Sequence, residues 1–167
     1  MKKLLVIDGY NCMRRAGTFE AALDRSLESA RDAFVGYVRG YRARNAAFGE
    51  VIIVFDGTGN RGLAKAQKDG GVTIIFSRFG ESADEAIKLF VGRNINSHKI
   101  TVVSDDNYVT NNARAYGAEA LSCRGFMKTA EPRRKARPNG LDEKAIDAGT
   151  ADKINEELKR EWRIKGC

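Results

Sequence analysis

Four short runs of aliphatic residues constrain the fold more than any other feature of this chain. They read LLVI at residues 4–7, VIIVF at 51–55, VTIIF at 72–76 and ITVVS at 100–104, and a weaker fifth run, EALSC, spans 119–123. The runs are rich in Val and Ile and do not alternate with polar residues. This pattern is typical of strands that are buried on both faces of a parallel sheet.

Helical patterns fall between these runs. A helix is predicted over about residues 26–44, where apolar residues recur at three- and four-residue steps. A second helix opens at Ser82, which has capping-box spacing to Glu85, and a third covers about 107–116 and stops at Gly117. Strands that alternate with helices predict an α/β fold, with a central, mostly parallel sheet of about five strands flanked by helices.

Chain length and hydropathy limit the class of protein. The 167 residues fit one domain, and 43% of them are hydrophobic, which is ordinary for a globular protein. No apolar run approaches the roughly 18 residues of a membrane span. Only four apolar residues separate Lys3 from Asp8, which is too few for a signal peptide. We therefore expect a cytoplasmic protein without a membrane partner.

Cysteine and histidine usage narrows the chemistry. Cys12, Cys123 and Cys167 are scattered without a CxxC pair, so neither a zinc site nor a disulfide framework is expected. His98, the only histidine, stands in a polar turn before a predicted strand. Catalysis is therefore expected to depend on carboxylates rather than on a histidine base.

Positive charge is concentrated in the last third of the sequence. The formal net charge is +7 and the isoelectric point about 9.5, which favours an anionic partner such as nucleic acid. Residues 124–137 hold six Lys or Arg against one Glu. We predict a core domain at 1–127, a mobile basic segment at 128–149, and a helix at 150–167 that docks on the core.

Acidic residues follow the predicted strands. Asp8, Asp56 and Asp105 come directly after the first, second and fourth runs, and Asp84, with Glu81 just ahead, opens the helix after the third. Because parallel strands end at one edge of a sheet, these carboxylates are expected to share that edge. A cluster of oxygen ligands without His or Cys suits Mg²⁺ or Mn²⁺.

Each of these residues also has a purely structural interpretation. A single Asp after a strand is commonly a turn residue or a helix cap. Asn11 is either an ordinary turn residue or an amide that orients water or contacts a phosphate. Ser104 either bonds a phosphate oxygen or caps the third helix.

Several stretches resemble the YacP-like NYN-domain proteins of the PIN-like nuclease superfamily. LLVIDGYNCM, VIIVFDG, FGESADEAIK and ITVVSDDNYV stand in the order and spacing of that family. GAEALSCRGFM is similar to its last core strand and following helix, and LKREWRIKG to its Trp-containing final helix. The resemblance implies a PIN-like α/β fold, a divalent-metal acidic site and endoribonuclease activity, with ribosome-associated mRNA endonucleases among the relatives.

The resemblance also implies roles for individual residues. Asp8 matches the family's first acidic residue, Asn11 its asparagine, Asp84 the acid of its central ADE motif, and Asp105 the acid after the fourth strand. Metal ligation is thus expected from Asp8, Asp84 and Asp105, while the positions of Asp56 and Glu81 also match and would complete the metal shell.

The expected function is hydrolysis of RNA, with mRNA as substrate and the ribosome as a further partner. In-line attack by water would leave a 5′-phosphate and a 3′-hydroxyl. The basic segment would grip the RNA backbone without reading its sequence, through Arg133, Arg134, Lys135 and Arg137.

Two alternatives stay open. A non-catalytic RNA- or ribosome-binding module would share the fold and the basic segment. A phospho-transfer protein would need a second acid two residues after the first, where Tyr10 stands, or paired acids at the first strand end. No face of the predicted domain indicates an oligomeric interface.

Overall fold

A six-stranded sheet forms the centre of the computed structural model, which describes residues 1–57, 66–78 and 80–130. The strands in chain order are β1 Lys2–Asp8, β2 Glu50–Phe55, β3 Ala66–Asp69, β4 Val72–Phe76, β5 His98–Val103 and β6 Glu119–Leu121. Their order across the sheet is β3-β4-β2-β1-β5-β6, and all neighbouring pairs are parallel except β3 with β4. The predicted α/β fold with a mostly parallel sheet is confirmed.

Helices cover both faces of this sheet. They are α1 Gly9–Arg15, α2 Glu20–Leu23, α3 Leu27–Arg44, α4 Ala83–Asn94, α5 Asn107–Ala115 and α6 Cys123–Ala130. The predicted caps hold: Ser26 accepts a hydrogen bond from the Ser29 N–H, and Ser82 accepts one from the Glu85 N–H. Gly117 follows α5 with φ of +88°, the left-handed conformation expected of a helix-ending glycine.

Two apolar layers explain why the strand sequences do not alternate. Leu5 and Ile7 of β1 pack into the layer under α1, α3 and α6, whereas Leu4 and Val6 pack into the layer under α4 and α5. Every strand residue from Leu4 to Ile7 is at most 3% exposed. Burial on both faces selects an unbroken aliphatic run.

Three elements lie where the sequence predicted none. β3 reads AQKD and is fully exposed, so it carries no apolar signal, and it is held by a hairpin at Gly70 and Gly71, whose φ angles are +56° and +78°. The short helices α1 and α2 lack the length for a periodic pattern. α1 begins at once after β1 because Asp8 caps it.

The point where strand succession reverses lies between β1 and β5. β2 and β4 lie on one side of β1, and β5 and β6 lie on the other. In open α/β sheets, ligands bind at the carboxyl ends of the strands at such a point. Asp8, at the end of β1, therefore occupies the expected position for a site.

Part of the predicted organisation lies outside the described residues. This holds for 131–149 of the basic segment, for the helix at 150–167, and for Arg133, Arg134, Lys135 and Arg137. Residues 128–130 belong to α6 rather than to a separate segment. Over the described ranges, none of the helices is both long and apolar enough to cross a membrane.

Candidate active site

Asp8 lies at the centre of the candidate site and is almost enclosed. Only 5% of the surface of this residue is exposed to solvent. Oδ1 accepts a hydrogen bond from the Asn11 N–H at 3.2 Å, and Oδ2 accepts one from the Ser104 hydroxyl at 2.9 Å. Asp8 thus caps α1 and is also tied to the residue that follows β5.

The surroundings of Asp8 favour its protonated form. The pKa of Asp8 is raised from 3.8 to about 6, chiefly by burial, since desolvation disfavours the charged form. The negative charges of Asp84 and Asp56 contribute to this rise, whereas the hydrogen bonds from Ser104 and Asn11 oppose it. The negative charges of Asp84 and Asp56 are therefore close enough to Asp8 to influence its titration.

Asp56 and Asp84 complete a set of three carboxylates. Asp56 directly follows β2, and its Oδ1 accepts a hydrogen bond from the Ala83 N–H at 2.6 Å. This bond ties the end of β2 to the first turn of α4, where Asp84 lies. The three carboxylates line one cleft of about 420 Å³, together with Asn11.

The negative charge of a fourth acid, Asp106, acts on Asp84, although the sequence did not predict Asp106 as a site residue. Burial raises the pKa of Asp84, and the negative charges of Asp106, Asp56 and Glu85 raise it further, in that order. Asp106 caps α5, because its Oδ1 accepts from the N–H groups of Tyr108 and Val109. Asp106, and not Ser104, is therefore the cap of the third predicted helix.

Asp105 has a different environment from the three cleft carboxylates. Its N–H donates to Oδ1 of Asn11 at 2.9 Å, and its own Oδ1 accepts from the Cys123 N–H at 3.0 Å. Oδ1 of Asn11 also accepts from the Cys123 thiol at 3.3 Å. Asp105 and Asn11 thereby join the loop after β5 to α1 and to the start of α6, and Asp105 is not among the residues that line the cleft.

Glu81 and Ser104 also differ from their predicted surroundings. Oε2 of Glu81 accepts from the Arg78 N–H at 3.4 Å, so its carboxylate bonds within its own loop and does not line the cleft. Ser104 is 1% exposed, and its hydroxyl donates to Asp8 and accepts from the Asp106 N–H at 3.1 Å. A hydroxyl with these two partners orients Asp8.

The cleft has residues that the sequence analysis overlooked. Tyr10, Arg14 and Arg15, all on α1, line it beside the carboxylates. The signal was the spacing of three and four residues from Asn11 to Arg14 and Arg15, which places them on one face of a helix. The spacing is informative only if residues 9–15 are helical, and Gly and Asn after a strand are equally typical of a turn.

His98, the only histidine, lies away from the cleft. It begins β5 and pairs with Lys2, at the opposite edge of the sheet.

The donor set fits a hydrated hard cation. In the parts of the chain that the structure describes, no three His, Cys, Asp or Glu side chains converge closely enough to cage a metal ion. Mg²⁺ keeps several of its waters and binds through only one or two carboxylates. Three carboxylates share the cleft without converging, and the negative charges around Asp8 and Asp84 raise the pKa of both, which matches that mode of binding.

Comparison with known proteins places the chain in a family. The sequence model of the YacP-like NYN domain matches residues 5–164. The uncharacterized protein YacP of Bacillus subtilis (strain 168) is 31% identical over 131 residues, which cover 77% of this chain and 75% of that protein.

Solved structures show the same fold. The crystal structure of Rae1 (YacP) from Bacillus subtilis has a TM-score of 0.58 at 23% identity and covers 97% of this chain and 83% of that one. A tryptophan-to-leucine mutant of Rae1 gives 0.58 at 22% identity, covering 99% and 87%. The match over nearly the whole sequence, on a fold with acids at the strand ends, shows that this chain belongs to the YacP-like NYN domain family of the PIN-like nuclease superfamily.

Proposed function

We propose that this protein is a divalent-metal-dependent endoribonuclease that hydrolyses phosphodiester bonds of RNA, with mRNA as substrate and the ribosome as a further partner. The observation that carries the proposal is the cleft at the end of β1, which is lined by the carboxylates of Asp8, of Asp56 after β2 and of Asp84 in α4. Many kinds of ligand site form at this edge of an α/β sheet. Membership of a PIN-like family supports a nuclease site among them.

Asp8 and Asp84 are the residues proposed to hold Mg²⁺ or Mn²⁺, with Asp56 beside them. When bound, the cation would supply Lewis-acid polarisation of the phosphodiester and a water activated for in-line attack. Asp105 and Glu81, which lie outside the cleft lining, would reach the ion only through water. The proposed products carry a 5′-phosphate and a 3′-hydroxyl.

The remaining residues are proposed to position this set. Ser104 holds Oδ2 of Asp8, so its role is to orient the carboxylate rather than to contact phosphate. Asn11 fixes the loop that carries Asp105 through the bond from the Asp105 N–H. The side-chain NH₂ of Asn11 would then face the cleft contents. Arg133, Arg134, Lys135 and Arg137 stay proposed contacts to the RNA backbone.

The test is cleavage of a 5′-labelled single-stranded RNA by purified protein, with Mg²⁺, Mn²⁺ or EDTA. The double variant Asp8→Asn/Asp84→Asn is compared with Asp69→Asn/Glu119→Gln, which also removes two carboxylates. Asp69 and Glu119 lie at the edge where the parallel strands begin, and both are exposed. Asp69 pairs with Arg39, and Glu119 pairs with Lys99 and accepts a hydrogen bond from the Thr101 hydroxyl, all at the surface. We expect the first pair to lose activity by about 10²-fold or more and the control to keep it.

The possible results separate the candidate functions. Cation-dependent cleavage that survives in Asp8→Asn/Asp84→Asn would overturn the assigned site. Wild-type protein that binds RNA but leaves it intact with every cation would favour the RNA- or ribosome-binding module. Translating ribosomes are the second substrate to test, because a partner that presents the mRNA would be missing from the first assay.

A further inference from the structure

The cleft carries two signs of charge. Arg14 and Arg15 lie in the last turn of α1, are exposed to solvent, and line the same cleft as Asp8, Asp56 and Asp84. Opposite charges that share a cleft usually pair. Among the described residues, however, neither guanidinium makes an ion pair or a hydrogen bond with any of these carboxylates. Both therefore remain available for a ligand.

The backbone that carries these arginines is firmly held. Cys12 and Met13, the two residues before Arg14, are fully buried. Tyr10 packs against Phe55 with ring centroids 5.0 Å apart. Because the helix is anchored on its inner side, the two arginines project from a fixed position on one wall of the cleft.

The chemistry of the two walls matches a phosphodiester strand. The guanidinium group presents a planar fork of donors that fits phosphate oxygens. The carboxylate wall repels a bare phosphate unless a cation lies between them, so in the metal-free cleft the guanidinium wall is the part that attracts the strand. A phosphate backbone crossing the cleft would meet a cation on one side and two guanidinium groups on the other.

We propose that Arg14 and Arg15 form the phosphate-binding wall of this cleft and contact the backbone of single-stranded RNA beside the phosphodiester that lies over the carboxylates. This inference deepens the proposed function and rests on it for the identity of the strand. It adds contacts in the cleft to those expected from Arg133, Arg134, Lys135 and Arg137.

The test measures binding without cleavage. Affinity for a fluorescent single-stranded RNA is determined in EDTA at several salt concentrations, for wild type and for Arg14→Gln/Arg15→Gln. Each backbone phosphate contacted contributes about −0.7 to the slope of log K against log salt for single strands. We expect the variant to lose about 1.4 from the magnitude of that slope, and about 10-fold or more in affinity at low salt.

A matched control separates a local site from net charge. Arg93→Gln/Arg114→Gln also removes two positive charges, and both residues are exposed. They lie in the last turns of α4 and α5. These helices return from the ends of the strands, so their last turns lie at the opposite edge of the sheet. The control should keep the wild-type slope, and Arg14→Lys/Arg15→Lys should restore it because the charge is kept.

The outcomes distinguish this inference from the proposed function. Equal losses of slope in both double-Gln variants, or a full slope in Arg14→Gln/Arg15→Gln, would overturn the phosphate wall even if the protein cleaves RNA. A selective loss of slope in a protein that cuts no RNA would leave the wall standing and remove the nuclease. If the double-Gln variant fails to fold, the single variants Arg14→Gln and Arg15→Gln should each lose about half of the effect.

Discussion

The hydroxyl of Ser104 donates a hydrogen bond to Oδ2 of Asp8 at 2.9 Å, although 96 residues separate them in the sequence. The same hydroxyl accepts from the N–H of Asp106, the cap of α5. One buried oxygen therefore links the end of β1 to the start of α5. The first carboxylate of the site, at the end of β1, is therefore held by the residue that follows the neighbouring strand β5.

Replacing this hydroxyl tests the link. In Ser104→Ala, Oδ2 of Asp8 loses the donor that favours its charged form, so the pKa of Asp8 should rise further above about 6. The buried carboxylate of Asp8 and the half-buried N–H of Asp106 each lose a hydrogen-bond partner, and we expect a loss of about 1–3 kcal/mol in the free energy of unfolding. Carboxyl carbon NMR titration and denaturant unfolding measure the two effects.

Ser97→Ala is the matched control for this change. Ser97 lies in an exposed turn, and its hydroxyl donates to the Asn94 carbonyl. Its removal should leave the Asp8 titration unchanged and should alter stability by less than about 0.5 kcal/mol. Equal effects of the two substitutions would show that the Ser104 bond has no special influence on Asp8.

Stability without metal should fall as the pH rises through the titration of Asp8. Its folded-state pKa is about 6 against 3.8 for the free side chain, so the folded state binds its proton more tightly than the unfolded chain. The penalty is absent well below pH 3.8, grows from there, and is complete above about pH 6. Its full size is about 3 kcal/mol.

The measurement compares unfolding at pH 4 and pH 7 in EDTA. Asp8→Asn does not titrate, so wild type should lose about 2 kcal/mol more than this variant between the two pH values. Asp24→Asn, which removes an exposed carboxylate at the end of α2, should behave like wild type. Added Mg²⁺ should restore stability to wild type at pH 7 only. Parallel curves for wild type and Asp8→Asn would contradict the buried, perturbed carboxylate.

The sequence predicted the frame of the fold because burial on both faces leaves a clear signature. The four strong runs became β1, β2, β4 and β5, and the topology of a parallel sheet was enough to bring Asp8, Asp56 and Asp84 to one edge. β3 escaped prediction because a polar, exposed strand is specified by its hairpin and its partner strand rather than by an apolar pattern.

The inner contacts of the site could not be predicted. α1 is only seven residues long and is stabilised by tertiary packing of Cys12 and Met13, so no periodicity announces it. Arg14 and Arg15 can be predicted to line the cleft only if α1 is predicted first. The carboxylate of Asp105 accepts a hydrogen bond from the Cys123 N–H. This choice of partner depends on atomic positions, which a pattern of residue types does not contain.

Substitutions of the two adjacent acids after β5 should affect Asp84 differently. The negative charge of Asp106 raises the pKa of Asp84, and Asp105 is not among the groups that do so. Asp106→Asn should therefore lower the pKa of Asp84 in metal-free protein, while keeping a residue that can still cap α5. Asp105→Asn should leave the Asp84 titration near its wild-type position. NMR titration of the Asp84 carboxyl carbon measures its pKa in both variants. A larger change of this pKa in Asp105→Asn than in Asp106→Asn would contradict the assignment of Asp106 as the neighbouring charge.

The close approach of α1 to β2 requires glycine at position 9. A Cβ added at Gly9 would overlap the ring of Phe55, which is 1% exposed and packed between other aromatic rings. Because the ring has no room to move, Gly9→Ala should lower the free energy of unfolding by about 1–3 kcal/mol. It should also weaken cation binding, since Asp8 is the adjacent residue.

Gly36→Ala provides the opposite expectation on the same face of the sheet. Gly36 lies within α3, and an added Cβ would meet nothing within 4 Å. Alanine is favoured over glycine in a helix interior, so this change should raise the free energy of unfolding by up to about 1 kcal/mol. Thermal unfolding of the two variants side by side measures both effects. Two changes of the same sign would contradict the packing of α1 on Phe55.

The buried thiols beneath the site should be unreactive in the native protein. Sγ of Cys12 and Sγ of Cys123 lie 2.7 Å apart, and both residues are fully buried. Burial raises the pKa of Cys12 well above its ordinary value, and the neighbouring thiol and the charges of Asp8 and Asp105 raise it further. Because the thiolate is the reactive form, attack on an aromatic disulfide reagent at pH 8 should be slow.

Cys167→Ser removes the third cysteine, so only the two buried thiols can report. We expect almost no labelling of this variant over minutes in native buffer and rapid labelling of two thiols after unfolding in denaturant without reductant. The ratio of the two rates measures how often the region between α1 and α6 opens. Rapid native labelling would contradict the enclosed packing of Cys12 and Cys123. Fewer than two thiols in the unfolded sample would show that the pair is a disulfide, and the hydrogen bond from Cys123 to Asn11 would then be absent from the purified protein.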